Sequence, residues 1–262
     1  MAAAPTPRDV HEAASLLGGA RRLVVLTGAG ISTESGIPDF RSPGGLWSRY
    51  DPTQLTFQRF CASAETRRIY WEMGRELYPV LKSAQPNAAH RFLAAIERRG
   101  GLRRLVTQNI DGLHQRAGSS PERVIEIHGT ALEVGCLTCG ERQDREPVQA
   151  RFAAGDVDPH CPCGGLLKPA TISFGQAMPE RETALAMADA AEADVFLVVG
   201  SSLVVYPAAS LPGVAVENGA ALIIVNREET PYDRVASITL QATAGPILTA
   251  VADALGMPLA DA

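Results

Sequence analysis

The sequence predicts an α/β fold in which a doubly wound parallel sheet carries a smaller inserted lobe. Three observations lead to this prediction. Short apolar runs typical of buried strands alternate with helical segments along most of the 262 residues. The first of these runs leads directly into a glycine-rich turn, residues 28–30. Two close pairs of cysteines between residues 136 and 163 interrupt the alternation, so their segment is expected to form a separate lobe.

The elements before the cysteines follow from the spacing of apolar residues and from glycine stop signals. A first helix is expected to end at Gly18-Gly19, and a later one at Gly100-Gly101. His90, near the start of that later helix, is interpreted as a packing or capping residue. The predicted elements are helices over 8–17, around 65–77 and over 86–99, and strands over 23–26, 102–107 and 124–127.

The elements after the cysteines resume the alternation. One strongly apolar strand leads to Gly200-Ser201-Ser202, and the next strand ends at Asn226-Arg227. Strands that are joined by helices in this way become parallel neighbours in one sheet. The predicted elements are helices over 180–191 and 245–255, and strands over 194–199, 221–225 and 237–240.

The glycine-rich turn has part of a dinucleotide-binding pattern. A strand, a glycine turn and a helix start would aim backbone N–H groups at an anion such as a diphosphate. The pattern is incomplete, because Thr33 stands where a third glycine is expected and no clear acidic residue follows about 20 residues later. A nucleotide site and a purely structural tight turn therefore both remain open. The polar residues that follow favour a loop that folds over a ligand: Glu34, Asp39, Arg41 and Ser42.

Two further strand ends carry polar side chains. Gln108, Asn109 and Asp111 follow the second strand, and His128 follows the third. The carboxyl ends of parallel strands form the edge where such sheets bind ligands. A histidine at a strand end is by itself more often structural, but its neighbours at this edge favour a functional role.

Four of the five cysteines have the spacing of a zinc site: Cys136-x-x-Cys139 and Cys161-x-Cys163. Two disulfides are the alternative, which a cytoplasmic chain disfavours. A closed set of four thiolates leaves no open position for water, so one structural ion is predicted. His160 is a competing ligand, although a loop role is preferred for it. Cys61 is interpreted as a small buried apolar residue.

Composition limits the other function classes. With 46% hydrophobic and 20% charged residues, the chain can bury a full core in one large domain or in a large and a small one. Its net charge of −5 argues against general binding of nucleic acid, which would need a basic surface. No signal-peptide pattern and no run of roughly 18 apolar residues is present, so we expect a cytoplasmic protein without membrane contact. The oligomeric state stays open, and a monomer is plausible.

Taken together, the motifs resemble the sirtuin family of NAD-dependent protein deacylases. The resemblance rests, in chain order, on residues 28–32, 38–41, 107–111, 128–129, the cysteine pairs and 200–202, and it spans roughly residues 10 to 255. It implies a discontinuous Rossmann-like NAD-binding domain and a small lobe made of a helical insertion and the zinc module. The implied boundaries are 8–48, 88–130 and 170–255 for the large domain, and 49–87 and 131–169 for the small lobe.

The resemblance also assigns site residues. His128 would be the general base, and Asn109, Asp111 and Arg41 would act beside it. An acyl-lysine peptide would enter as an extended strand between residues 174–176 and 203–205. The implied NAD-binding residues are Gly28, Ala29, Gly30, Ser32, Thr33, Asp39, Phe40, Arg41, Gln108, Asn109, Ile110, Asp111, Gly200, Ser201, Ser202, Asn226, Arg227 and Ala244. The implied substrate-binding residues are Tyr70, Phe174, Gly175, Gln176, Leu203, Val204 and Val205.

The implied reaction consumes NAD and moves no hydride. The amide oxygen of an acyl-lysine attacks C1′ of the nicotinamide ribose, nicotinamide leaves, and the acyl group ends on ADP-ribose. Where acidic acyl groups are removed, the family shows a Tyr-x-x-Arg pair; this chain has Tyr70 and Met73, which predicts neutral acyl groups, with acetyl first and longer apolar chains next. The alternative is that Tyr70, Trp71 and Met73 are simply core residues of a helix face. Gln176 stands where the family usually has Glu, so preference for basic peptides is expected to fall. Protein ADP-ribosylation and a non-catalytic NAD-sensing module are the alternatives.

Overall fold

The computed structural model describes residues 4–39, 45 and 48–259. Its helices are α1 (Pro7–Gly19), α2 (Phe57–Ala62), α3 (Ala64–Ser83), α4 (Ala88–Arg99), α5 (Leu113–Arg116), α6 (Arg145–Ala153), α7 (Glu180–Ala191), α8 (Leu211–Glu217) and α9 (Ala244–Ala254). Its strands are β1 (Leu23–Thr27), β2 (Leu102–Thr107), β3 (Val124–Glu126), β4 (Gly129–Cys136), β5 (Arg142–Asp144), β6 (Leu167–Thr171), β7 (Val195–Val199), β8 (Ala221–Asn226) and β9 (Ile238–Gln241).

A six-stranded parallel sheet forms the large part of the molecule, in the order β3-β2-β1-β7-β8-β9. From β1 the chain builds outward to β2 and β3, and it later returns to the other side of β1 with β7. The strand order therefore reverses between β1 and β7. In open α/β sheets, ligands bind outside the carboxyl ends of the strands at such a switch point.

Helices cover both faces of this sheet, as the doubly wound prediction requires. Alternate residues of β1 point to opposite faces, so Leu23 and Val25 pack in one core with α1, α4 and α9. Val24 and Leu26 pack in the other core, with α7 and α8. The fully buried strand residues explain why β1 and β7 are continuous apolar runs in the sequence.

A smaller antiparallel sheet, in the order β5-β4-β6, builds the small lobe together with α2, α3 and α6. Trp71 of α3 is fully buried against Val134, Val148 and Phe152 of the cysteine-bearing segment. Its ring stacks on Phe152, with centroids 6.4 Å apart. The helical insertion and the cysteine segment thus share one apolar core.

Most elements of the large sheet lie where the sequence predicts them, and the differences have physical causes. The expected helix start after the glycine turn is wrong: two short 3₁₀ turns, Ala29–Ile31 and Thr33–Ser35, occupy that place. The insertion contains two helices because Ser63 is extended and caps α3. Cys61 is exposed, so its interpretation as a small buried residue is also wrong. Among the described helices, none has the length and apolarity needed to cross a membrane.

Candidate active site

A cavity of about 540 Å³ opens at the carboxyl ends of the strands, at the switch point and against the small lobe. It brings together residues that are far apart in the chain, from the 28–30 turn to the start of α9. Its wall also includes residues that the sequence did not single out, such as Leu55, Leu77 and Tyr206. Of the sequence-predicted site residues, it is lined by Gly28, Ala29, Gly30, Asp39, Tyr70, Gln108, Asn109, Ile110, His128, Phe174, Gly175, Gln176, Gly200, Ser201, Ser202, Val205, Asn226, Arg227 and Ala244.

Some predicted residues do not line this cavity. Thr33 is outside the cavity lining, and three other residues are buried in the protein: Ser32, Asp111 and Leu203. Val204 is 52% exposed on the outer surface of the same loop. Phe40, Arg41 and Ser42 lie outside the described residues, so their predicted roles stay predictions.

The glycine turn packs against a second turn, after β7. The amide of Gly28 donates to the Val199 carbonyl at 3.0 Å, and that of Gly30 donates to the Gly200 carbonyl at 2.9 Å. A Cβ on Gly30 would lie 2.8 Å from Gly200 Cα. These glycines therefore allow two backbones to touch, and both amides are engaged within the protein. The turn offers fewer N–H groups to an anion than the sequence predicts.

We expect Gly30→Ala to destabilise the protein by about 1–3 kcal/mol, because the added methyl group forces two backbone turns apart. NAD binding should weaken as well, since both turns line the cavity. Urea unfolding and NAD titration measure the two effects. Gly19→Ala is the matched control, because its Cβ would meet nothing within 4 Å at the end of a helix. Equal stability of the two variants would contradict the close-packing argument.

A buried polar network fixes the loop after β2. Ser32 Oγ donates to Asp111 Oδ2 at 2.7 Å and accepts from Asn109 Nδ2 at 3.0 Å. The Leu113 amide donates to Asp111 Oδ1 at 2.9 Å. Burial raises the pKa of Asp111. Although Asp111 does not line the cavity, it anchors the loop that presents Asn109 and Ile110 there.

His90 reaches the same network from the start of α4. Its Nδ1 accepts from the Asn87 amide at 3.3 Å, which confirms the capping interpretation. The proton is then on Nε2, which lies 3.5 Å from Ser32 Oγ. Burial lowers the pKa of His90 to about 3, so its imidazole is neutral.

His128 lies in the two-residue turn between β3 and β4, and it lines the cavity. Its Nδ1–H donates to the Gln108 carbonyl at 3.0 Å. That bond fixes the tautomer, because the carbonyl can only accept, and it leaves Nε2 with a free lone pair. Burial lowers the pKa of His128, partly offset by the Gln108 hydrogen bond. A neutral, oriented imidazole of this kind can accept a proton from a bound ligand.

One face of α3 forms an apolar wall of the cavity. Tyr70, Met73 and Leu77 recur at helical spacing and line it together with Leu55. The Tyr70 hydroxyl donates to the Leu55 carbonyl at 2.7 Å and lies 2.8 Å from Ser173 Oγ. Tyr70 is thus both a wall residue and a packed one, and its polar atom already has partners.

The segment 173–176 borders this wall. Phe57 and Gln58 of α2 donate to the carbonyls of Phe174, at 2.9 Å, and Gly175, at 2.8 Å. Gln176 folds back, and its Oε1 accepts from the Ser173 amide at 3.1 Å. The α2 side of this segment is therefore already paired.

The four predicted cysteines meet in the small lobe, and their sulfurs all lie within 4.8 Å of one another. Cys136 Sγ is 3.5 Å from Cys163 Sγ, and Cys139 Sγ is 3.8 Å from Cys161 Sγ. Four sulfurs bound tetrahedrally at about 2.3 Å from zinc would be about 3.8 Å apart, so the arrangement fits one ion. His160 is outside the set and donates from Nδ1 to the Asp158 carbonyl. A structural zinc site is therefore the role of this cluster.

Comparisons with known proteins decide the family. A sequence model described as the Sir2 family matches residues 28–207. This chain belongs to the Sir2 family. The sirtuin resemblance is thereby confirmed, and so is the Rossmann-like fold that it implies, because solved Sir2 structures superpose on nearly the whole chain. The domain boundaries stay predictions.

Two relatives show how far the likeness extends within the Sir2 family. An NAD-dependent protein deacetylase of Thermodesulfovibrio yellowstonii is 45% identical over 233 residues, which cover 88% of this chain and 90% of the relative. An NAD-dependent protein deacylase of Archaeoglobus fulgidus is 42% identical and covers 94% and 95%. A solved complex of a Sir2 protein with a p53 peptide and NAD⁺ is similar at a TM-score of 0.84, with 38% identity over 94% of this chain and 98% of that one.

Proposed function

We propose that this Sir2-family chain is an NAD-dependent protein-lysine deacylase that acts on acetyl-lysine in proteins or peptides. One observation carries the proposal: a single cavity joins the glycine turns of the switch point, the oriented His128 imidazole and the apolar face of α3. The glycine turns would bind a dinucleotide, and the imidazole would remove a proton. The apolar face of α3 would contact an acyl-lysine side chain. Relatives named as NAD-dependent deacetylases and deacylases support the assignment.

The chain's own residues divide the work. Gln108 and Asn109 lie beside His128 and would contact the nicotinamide-side ribose. After the acyl amide oxygen has displaced nicotinamide, Nε2 of His128 would take the proton of a ribose hydroxyl, so that this oxygen can attack the acyl carbon. Breaking of the acyl C–N bond then releases the lysine amine, and one water molecule is consumed as the acyl group ends on ADP-ribose. Residues 200–202, Asn226 and Ala244 would bind the rest of NAD at the other end of the cavity. Zinc, when bound to the four thiolates, supplies fold stability to the small lobe and no chemistry.

The direct test is incubation of the pure protein with NAD and acetyl-lysine peptides, followed by mass spectrometry. Free nicotinamide, deacetylated peptide and O-acetyl-ADP-ribose are expected in equal amounts. A protein substrate that gains the mass of ADP-ribose would instead favour an ADP-ribosyltransferase. NAD binding without either reaction would favour a non-catalytic sensor.

We expect the enzyme to discriminate against succinyl-lysine. Met73 and Leu77 line the pocket wall with apolar atoms, and the Tyr70 hydroxyl is bound to Leu55 and Ser173. A buried carboxylate without a partner costs at least several kcal/mol, so turnover of succinyl peptide should be lower than that of acetyl peptide by a factor of about 100 or more.

Acetyl, butyryl and succinyl peptides of one sequence measure this preference as kcat/KM. Butyryl peptide is the size-matched control, because its chain is nearly as long and carries no charge. Efficient desuccinylation would contradict the apolar assignment of the wall.

A cytoplasmic location completes the proposal. The support is chemical: a site of four reduced thiolates persists in a reducing compartment, and exposed Cys139 and Cys163 would otherwise oxidise readily. Cell fractionation with an antibody against the chain tests the location.

A further inference from the structure

An ion pair inside the small lobe connects the helical insertion to the cysteine loop. Arg67 of α3 donates to Asp158 through two parallel hydrogen bonds, Nε to Oδ1 and Nη2 to Oδ2, each 2.7 Å long. The Arg67 side chain is only 11% exposed. Asp158 lies three residues before Cys161, in the loop that brings that cysteine to the metal site. Bidentate geometry fixes orientation as well as distance.

The same guanidinium also reaches α2. Nη1 of Arg67 donates to the carbonyls of Phe60, at 3.1 Å, and Cys61, at 3.4 Å. These carbonyls belong to the end of a short helix, where backbone acceptors lack partners within the helix. Arg67 therefore joins three segments: α2, α3 and the cysteine loop.

From α2 the contacts continue to the cavity wall. The ring of Phe60 meets the ring of Tyr70 edge to face, with centroids 5.0 Å apart and planes at 84°. Tyr70 lines the cavity, and its hydroxyl bonds to Leu55 and contacts Ser173, the neighbour of Phe174. A continuous series of bonded and packed groups thus runs from Asp158 to the proposed acyl-lysine pocket.

We propose that Arg67, oriented by Asp158, is a positioning residue for the acyl-lysine pocket. It fixes the end of α2 against α3 and so sets the place of Phe60 and Tyr70 in the pocket wall. Loss of the pair should weaken acyl-peptide binding and leave NAD binding unchanged, because the glycine turns and α9 belong to the parallel-sheet domain. The inference rests on the proposed deacylase function, which supplies the ligand.

A purely structural role for the pair is the competing explanation. A buried ion pair is weak evidence for stability, and loss of one partner can simply destabilise a lobe. The two roles differ in what they change. A positioning role changes the affinity for one ligand of a folded protein, whereas a structural role lowers the unfolding temperature and affects all functions together.

The test compares Arg67→Lys, Asp158→Asn and their double variant with the wild type. Lysine keeps the charge but loses the two parallel bonds, and asparagine keeps the shape. Arg68→Lys is the matched control, because Arg68 is the next residue of α3 and forms an exposed pair with Glu65. Fluorescence anisotropy of a labelled acetyl-lysine peptide gives its Kd, and KM for NAD, unfolding temperature and zinc content are measured alongside.

We expect each single variant to raise the peptide Kd about fivefold or more while KM for NAD and zinc content stay unchanged. The double variant should be no weaker than the weaker single one, because both changes remove the same pair. An unchanged peptide Kd, or parallel losses of peptide affinity, NAD affinity and unfolding temperature, would overturn the inference. Wild-type protein that binds the peptide without releasing nicotinamide would refute the deacylase function alone; one that binds no peptide would refute both.

Discussion

His128→Ala should abolish most acyl transfer while the protein keeps its fold. General-base catalysis contributes about 10²–10⁴-fold, so the rate of O-acetyl-ADP-ribose formation should fall by a factor in that range. Among the residues that the structure describes, the imidazole makes a single hydrogen bond, from Nδ1 to the Gln108 carbonyl, and it lines the cavity. Its removal therefore leaves the described core packing intact, and the unfolding temperature should change little.

The partial reactions make this prediction sharper. Departure of nicotinamide precedes the step that needs a base, so exchange of labelled nicotinamide into NAD should survive in His128→Ala when acetyl peptide is present. His11→Ala is the control, because His11 is an exposed histidine of α1. Loss of exchange and of acyl transfer to the same extent would show that His128 acts earlier or only as a structural residue.

The pH dependence of kcat also tests whether His128 acts as a base. His128 works as a base only when it is neutral, and burial lowers its pKa below the usual 6.5. The pH at which protonation halves kcat should therefore lie below 6.5, and the wild type should keep full activity at pH 7. An acid limb that is unchanged in the residual activity of His128→Ala would assign the titration to another group.

The elements of the large domain could be predicted from sequence because each of them has a pattern within its own short segment. Fully buried parallel strands such as β1 and β7 are unbroken apolar runs, and glycines mark the ends of α1 and α4. His128 and Asn109 could be singled out because each lies two residues after the carboxyl end of a parallel strand. The cysteine cluster could be predicted equally well, since the spacing of its ligands in the sequence implies a tetrahedral site.

Other features depend on contacts between distant segments. The role of Gly30 becomes clear only in the folded protein, where the turn after β7 packs against it. A Cβ on Gly30 would lie 2.8 Å from Gly200 Cα. Short strands such as β5 lack an apolar alternation, because they complete a small sheet whose stability comes from the packed core around Trp71. Arg67 and Asp158 are 91 residues apart in the sequence, so no local sequence pattern predicts their ion pair.

Cys139→Ala should have the opposite profile from His128→Ala, because the cysteines support folding. Structural zinc supplies about 10–16 kcal/mol in small metal-dependent folds, and a site with three thiolates loses much of it. Cys136 and Cys161 belong to the same core as Trp71 of α3. We therefore expect lower solubility, a lower unfolding temperature, less than one zinc per chain and loss of activity together.

Cys61→Ala is the matched control for this prediction, since Cys61 is likewise an exposed cysteine of the small lobe but lies outside the four-sulfur cluster. It should keep one zinc per chain, the wild-type unfolding temperature and full turnover. Zinc analysis, calorimetry and deacetylation assays on the three variants separate the two roles. Because α3 bears both Trp71 of the small-lobe core and Tyr70 of the cavity wall, we expect metal loss to disturb the acyl-peptide side of the site. Identical unfolding of Cys139→Ala and His128→Ala would therefore refute this division between a folding site and a reacting one.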